Sequence, residues 1–270
     1  MFELQSGMKI AIGGKGGVGK TTVCAVLARL FVEDGFDVLA IDADSNANLA
    51  SAFGMGCEQS PEPLVGMKEL IAERTGTGRE ATGAYFRLNP KVSDLPEKYW
   101  VKVEGVKLLV LGGITRAGGG CACPEGAFLK ALLSHTVLER QEIVLVDLSA
   151  GVEFMGRACV QGIDALLLVV EPGGRSIDTA RRIAKMAGDT GIGHVAAIAN
   201  KVTDASQIDA IKRQLAGMTV MASLNYDPSV SEADFEGRAV YRADSRIVEE
   251  LKAVKKDLTE LVGCDVAGES

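Results

Sequence analysis

Eight consecutive residues carry the clearest chemistry in the chain: Gly14-Lys15-Gly16-Gly17-Val18-Gly19-Lys20-Thr21. They fit the pattern G-x-x-x-x-G-K-[ST] between an apolar run and a helical pattern, the setting of a phosphate-binding loop. Gly14, Gly16, Gly17 and Gly19 let the backbone curl, so that the loop's N–H groups, that of Val18 included, aim inward at phosphate oxygens. Lys20 would set its ammonium against the β- and γ-phosphates. The Thr21 hydroxyl would ligate Mg²⁺. Thr22 could reach the α-phosphate, and the helix N-terminus adds partial positive charge. A plain glycine-rich turn does not account for all eight positions in that setting.

Two acidic stretches follow at strand ends. The first is Ile41-Asp42-Ala43-Asp44-Ser45, the second Val146-Asp147-Leu148-Ser149-Ala150-Gly151. Alone, such an Asp reads as a helix N-cap. Behind a phosphate loop it reads as a carboxylate that handles magnesium or the attacking water. Asn200-Lys201 comes after a later strand. An Asn amide can pair with both N6 and N7 of adenine. A guanine reader would show N-K-x-D, but here Asp204 falls one place late in Asn200-Lys201-Val202-Thr203. Asn225-Tyr226-Asp227-Pro228 reads from its residues as a plain turn.

Gly118-Gly119-Gly120-Cys121-Ala122-Cys123-Pro124 presents two thiols beside a helix start, where thiolates are favoured. Two sulfurs are half of a four-coordinate set. A twofold dimer with this segment near its axis would bring four, suited to tetrahedral Zn²⁺ or square-planar Ni²⁺. The bland alternative is two space-filling cysteines. Cys24 reads as packed in the helix after the loop, and Cys57, Cys159 and Cys264 as buried or incidental. His135 and His194 have no ligand partner nearby and read as structural or surface residues.

Lys15 has no part in a simple phosphate loop. The form K-G-G-x-x-G-K-T resembles the deviant Walker A motif of the MinD/ParA/nitrogenase iron-protein superfamily. The resemblance implies that Lys15 crosses a dimer interface and stabilises charge on the partner's transferring phosphoryl group. It implies that Asp44 orients the attacking water, that Asp42 supports the loop and magnesium shell, and that Asp147 holds Mg²⁺ through water. Asn200 would read adenine, so ATP is favoured over GTP, and by the same resemblance the Asn225-Tyr226-Asp227-Pro228 stretch, equally a plain turn, would pass near the base. The stretches GCACPEGAFLKALLSH and DLSAGVEFMGR, the Glu171-Pro172 turn and NKV narrow the resemblance to the CooC-type ATPases, over Met8 to Val262. Leu148-Ser149 departs from the acidic or methionine residues common there.

That family implies a metallochaperone. ATP would draw two copies together, Cys121 and Cys123 of each would hold nickel or zinc, and hydrolysis would reset the dimer. The client would be carbon monoxide dehydrogenase or acetyl-CoA synthase. Two alternatives stay open. One is an iron-protein-like electron carrier with a [4Fe–4S] cluster between subunits, since Cys121 and Cys159 are 38 residues apart. The other is a positioning ATPase acting on DNA or membrane. A net charge of -7 and a final helix of mixed charge weigh against it, so neither nucleic acid nor membrane is expected as a partner.

These residues need a scaffold that puts strand ends together. Aromatics are 5% of the 270 residues while Gly is 32, which favours helix-on-sheet layers over a β-sandwich. Apolar runs at Met8–Ile12, Asp37–Ile41, Lys107–Leu111, Ile143–Val146, Ala165–Val170, His194–Ala199 and Thr219–Ala222 alternate with helical patterns. The helices are expected near Thr21–Glu33, Glu125–Glu139, Ile177–Ala187, Gln207–Leu215 and Ser245–Val262. The expected fold is α/β, a mostly parallel sheet with helices on both faces, a P-loop NTPase of the deviant Walker A type. One domain over 1–270 is expected, with residues 1–7 a short extension and 54–102 an irregular insert on a sheet edge. No run of 18 apolar residues and no secretory pattern at the start point to a cytoplasmic setting, and six cysteines are too few for a disulfide scaffold.

Overall fold

The computed structural model describes residues 7–76, 91, 95–112, 131–132, 142–152, 162–242 and 245–264. Its centre is one eight-stranded sheet. The strands are β1 (Met8–Gly14), β2 (Asp37–Ala43), β3 (Val101–Val103), β4 (Val106–Val110), β5 (Glu142–Leu148), β6 (Ala165–Val170), β7 (His194–Val202) and β8 (Thr219–Asn225). They lie in the order β3-β4-β2-β5-β1-β6-β7-β8. Every neighbouring pair is parallel except β3 and β4. The helices are α1 (Lys20–Glu33), α2 (Leu49–Ala52), α3 (Lys68–Thr75), α4 (Leu95–Tyr99), α5 (Gly174–Gly188), α6 (Ala205–Gln214), α7 (Pro228–Phe235) and α8 (Arg246–Cys264).

The strands read as near-continuous Val/Ile/Leu/Ala because both faces are covered. Met8, Ile10 and Ile12 of β1, with Ile143 and Leu145 of β5, join the apolar side of α1 and of α8 through Ile247, Leu251, Val254 and Leu258. Ala11, Val144 and Val146 point the other way, onto Ile177, Ala180 and Ile183 of α5 and Ile211 of α6. The apolar stripe of the last helix, Ile247, Leu251, Val254 and Leu258, therefore docks on the protein's own sheet. Leu251, Val254 and Leu258 are wholly buried, each worth about 1.5–3 kcal/mol relative to exposure.

All seven expected strands are present, and most run further than their apolar runs. The added residues include Gly13, Gly14, Asp42, Asp147 and Asn200. A reading by hydrophobicity stops at these, yet they continue the hydrogen-bonded ladder, with Asp42 in register beside Asp147 and Gly14 beside Val169. The eighth strand, β3, is a three-residue antiparallel edge that returns through Glu104 and Gly105, both at positive φ. Within 54–102, expected to be irregular, the described residues form α3, α4 and the first part of β3. Of the helix expected over Glu125–Glu139, Ala131 and Leu132 are described, and both are helical and buried. Cys121, Cys123, His135 and Cys159 lie outside the described residues. Among those described, no helix is long and apolar enough to cross a membrane.

Candidate nucleotide site

The phosphate loop leaves β1 between the ends of β5 and β6, at the carboxyl edge of the parallel strands where ligands of such sheets bind. Two glycines there are obligatory. Gly14 has φ +145°, and a Cβ on it would come within 2.5 Å of the Val169 carbonyl oxygen. Gly19 has φ +96°, and a Cβ would strike the Asn200 amide nitrogen at 2.4 Å. Helix α1 then starts with no side-chain cap and no acid in its first turn. Its first N–H groups and positive dipole end are thus left for an anion. Lys20 is 6% exposed, and its Nζ reaches the Lys15 carbonyl at 3.4 Å, curled within the loop.

Opposite stand the two acids. Thr21 Oγ1 donates to Asp147 Oδ2 at 2.7 Å. Asp147 Oδ1 is buried with no hydrogen-bond partner among the described residues. Burial pushes this carboxyl up to about 7; the Thr21 hydroxyl and the Lys20 charge oppose the rise and the neighbouring Asp42 adds to it. Asp42, wholly buried, is raised to about 6, again chiefly by burial. A buried carboxylate oxygen with no donor, next to a threonine hydroxyl, fits a hard cation. Thr21 and Asp147 would hold Mg²⁺ here, and the ion would neutralise the triphosphate and the buried acids together. Asp42 is occupied differently, because its oxygens accept from Asp44 N at 3.0 Å and Leu49 N at 2.8 Å. It shapes the turn from β2 into α2 and so places Asp44, which stays half-buried. Cys24 of α1 is buried near both acids, and burial first, then their charges, hold its thiol well above the ordinary range.

Ser149, the departure in the second acidic stretch, donates from Oγ to the Ala43 carbonyl at 2.9 Å. Gly151 N donates to Gly14 O at 3.0 Å. The stretch after β5 is thereby tied both to the last residue of β2 and to the phosphate loop. Lys15 turns outward within its own chain, where its Nζ pairs with Glu171 Oε1 at 3.3 Å. The Glu171-Pro172 turn thus gains a contact that the sequence did not suggest.

The other end of the cleft is built by β7 and β8. Asn200 Nδ2 donates to Val18 O at 2.7 Å, and Lys201 Nζ to Gly17 O at 2.6 Å, so this pair fastens the phosphate loop from behind. Lys201 adopts φ +57° to do so. Asn200 Oδ1 also accepts from Lys201 N at 2.9 Å, which leaves one amide N–H uncommitted by these contacts. A cleft of about 360 Å³, open to solvent, runs from Gly19, Thr22 and Asn200 to Asn225, Tyr226 and Asp227. It brings the residues expected at the base together with the phosphate loop. Asp227 itself is a cap: it accepts from Ser229 N and Oγ, from Ser245 Oγ and from Arg246 N, starting α7 and steadying the entry to α8. The D-P-S run, a capping residue followed by proline at the first helical position, carried that signal in the sequence. Val230, Ser231 and Ile247 also line the cleft, and nothing in their local sequence marks them.

Residues 9–240 match the CobQ/CobB/MinD/ParA nucleotide binding domain. Over 258 residues the chain is 41% identical to the carbon monoxide dehydrogenase accessory protein CooC of Rhodospirillum rubrum, covering 95% of this chain and 98% of that one. The chain belongs to the CooC-type branch of the CobQ/CobB/MinD/ParA family. An uncharacterized ATP-binding protein of Methanocaldococcus jannaschii is also 41% identical, over 92% of this chain and 96% of its own. The septum site-determining protein MinD of Pyrococcus horikoshii, solved with Mg-ADP, shares the fold at a TM-score of 0.67 and 20% identity, covering 96% of this chain and 98% of that one. At that identity the likeness extends to the fold alone. A CooC-type chain with this loop, these acids and this cleft is a nucleotide-binding protein of the P-loop ATPase fold.

Proposed function

We propose that the chain is an ATP-dependent accessory factor that assists nickel insertion into carbon monoxide dehydrogenase or acetyl-CoA synthase. The observation that carries this reading is the 41% identity, across nearly both full lengths, to a carbon monoxide dehydrogenase accessory protein. The site supports it with a phosphate loop next to a buried carboxylate that lacks a donor.

In this reading Lys20, Thr21, Thr22 and the loop N–H groups take the triphosphate, and Asp44 positions the attacking water. Lys15 leaves Glu171 and reaches the nucleotide of a second copy. Closure of the two copies completes a four-sulfur site from Cys121 and Cys123 of each, which carries the nickel or zinc cargo. Hydrolysis then loosens the pair, so the reaction works as a switch. The Ser149–Ala43 and Gly151–Gly14 hydrogen bonds give the stretches after β2 and β5 a direct way to respond together.

Size-exclusion chromatography with metal analysis, with and without ATP, tests this on the parent and on a Cys121→Ala/Cys123→Ala form. The expected result is an ATP-linked dimer with about one metal per pair in the parent, and a dimer without metal in the double variant. Metal retained by the double variant would overturn the assignment.

A further inference from the structure

The helices on the two faces of the sheet carry their cations differently. On α8 the lysines are matched: Lys252 pairs with Glu249 at 2.5 Å, Lys255 with Asp34 at 2.5 Å and Lys256 with Glu260 at 3.8 Å. On the opposite side, α5 and α6 put Arg175, Arg181, Arg182, Lys185, Lys212 and Arg213 at the surface. Among the described residues, Arg181 alone of these six has an ion pair, with Asp178 at 3.3 Å. Arg181 also donates from Nε to the Gln214 carbonyl at 2.7 Å, which ties α5 to the end of α6 and joins their cations into one surface. The bland account is helix-dipole compensation, and it covers Lys185, Lys212 and Arg213, which lie in last turns. It leaves out Arg182 in mid-helix, and Arg175 stands in the first turn of α5, where the dipole disfavours a cation. In a chain of net charge -7, such a face runs against the composition.

We infer that the α5–α6 face is a docking surface for a partner protein that presents a carboxylate-rich patch. The inference rests on the functional reading above, under which that partner is the nickel enzyme that receives the metal. Opposed charges would steer the encounter and fix its register. Two observations favour a protein over a nucleic acid. Asp178 and Asp209 stand exposed among the cations, where a phosphate backbone would be repelled. The same helices also carry half-buried apolar side chains, Ala184, Met186 and Ile208, and a mixture of arginine with methionine suits a protein interface. The face is also joined to the nucleotide site. Helix α5 follows the Glu171-Pro172 turn, where Glu171 N donates to Ser176 Oγ at 3.1 Å and the Glu171 carboxylate holds Lys15. Arg175 lies between Glu171 and Ser176, so the docking face begins beside the residue that holds the mobile lysine.

The test is biolayer interferometry of the full chain in Mg²⁺ and ATP against immobilised, nickel-free carbon monoxide dehydrogenase and acetyl-CoA synthase of the same organism, over a salt series. The parent should bind one of them, less tightly as salt rises. Arg182→Glu/Lys185→Glu should weaken that binding roughly tenfold or more at low salt, with the gap narrowing as salt screens the contact. Its affinity for ADP should match the parent's. Lys252→Glu/Lys256→Glu on α8 makes the same change in net charge and should bind the enzyme as the parent does. An α5 variant that binds as tightly as the parent, or an α8 control that falls as far, overturns the docking face. Arg182→Gln/Lys185→Gln serves should the reversed form fail to fold. It should lose a few-fold in affinity, and no loss also overturns the inference. Capture of duplex DNA by the parent, or self-association in sedimentation, that the α5 substitutions abolish while enzyme binding persists would assign the face to a different occupant and overturn it too. A parent that binds neither enzyme refutes the client reading and the docking face with it, whereas an undiminished α5 variant refutes the face alone.

Discussion

At the phosphate end of the cleft, Asp147 keeps a buried oxygen with no hydrogen-bond partner among the described residues, and Lys20 reaches the Lys15 carbonyl at 3.4 Å. At the base end, Asp227 accepts four hydrogen bonds, Asn225 is doubly held by Glu250, and Asn200 and Lys201 are fastened to the loop. One end is left electrostatically incomplete, and the other is a finished frame that leaves a few chosen groups free. A buried charge without a partner destabilises a fold, so the phosphate end is stabilised by what binds there. Substitutions at that end should therefore damage binding while sparing or raising stability. At the base end they should cost stability first.

The largest expected effect is from Lys20→Ala. It should lower affinity for ATP roughly a hundredfold or more by titration calorimetry, through loss of charge-assisted contacts to phosphate, with no fall in melting temperature. A variant that binds ATP normally would show that the loop does not hold the triphosphate. Asp147→Asn comes next. It keeps an acceptor for Thr21 and removes a buried charge, so in chelator the variant should be more stable than the parent by about 1–2 kcal/mol. It should also lose most of the gain in nucleotide affinity that Mg²⁺ brings. A less stable variant in chelator would contradict the comparison.

Asp227→Ala should cost about 1 kcal/mol in denaturant unfolding near pH 7, the usual scale for a lost cap. The Ser229 hydroxyl, then that of Ser245, hold the Asp227 carboxyl below its usual range. The folded value is thus lower than the unfolded one. The contribution is present in full above the unfolded value of about 3.9 and is lost as pH falls through the folded one. The parent–variant difference should stay level from about pH 8 to 5 and shrink below about 4. The smallest effect belongs to Glu171→Gln. The Lys15–Glu171 pair is a third or so exposed, so its loss should change stability by less than about 1 kcal/mol. Releasing Lys15 should nonetheless favour the ATP-linked dimer a few-fold by sedimentation. A dimer unchanged or weakened would show that this contact does not restrain the lysine.

The two ends were also unequally legible. The phosphate loop is local, eight residues whose types encode their own geometry, and the strands around it announce themselves by apolar runs. The Asn200 clamp joins residues 182 positions apart, and its donors are ordinary until the loop lies beneath them. Helix α7 escaped because its eight residues show almost no apolar periodicity, although Asp227-Pro228 marks its start. Strand β3 is too short for its pattern to register, and only the Glu104-Gly105 turn betrays it. Asn225 could be read as a turn or as a base contact, and the carboxylate that fixes it sits 25 residues later on another element. Lys15 was legible as an unusual lysine, but its partner across the loop was not. Cys121 and Cys123 lie outside the described residues.

The thiol of Cys24 has its own consequence. It sits in α1 near Asp42 and Asp147, yet burial and their negative charge keep its proton in place. Soft metals and alkylating reagents attack the deprotonated sulfur. A thiophilic ion therefore finds a buried, protonated sulfur at this point of α1, so the chain can place Cys24 beside these two acids without offering a thiolate there.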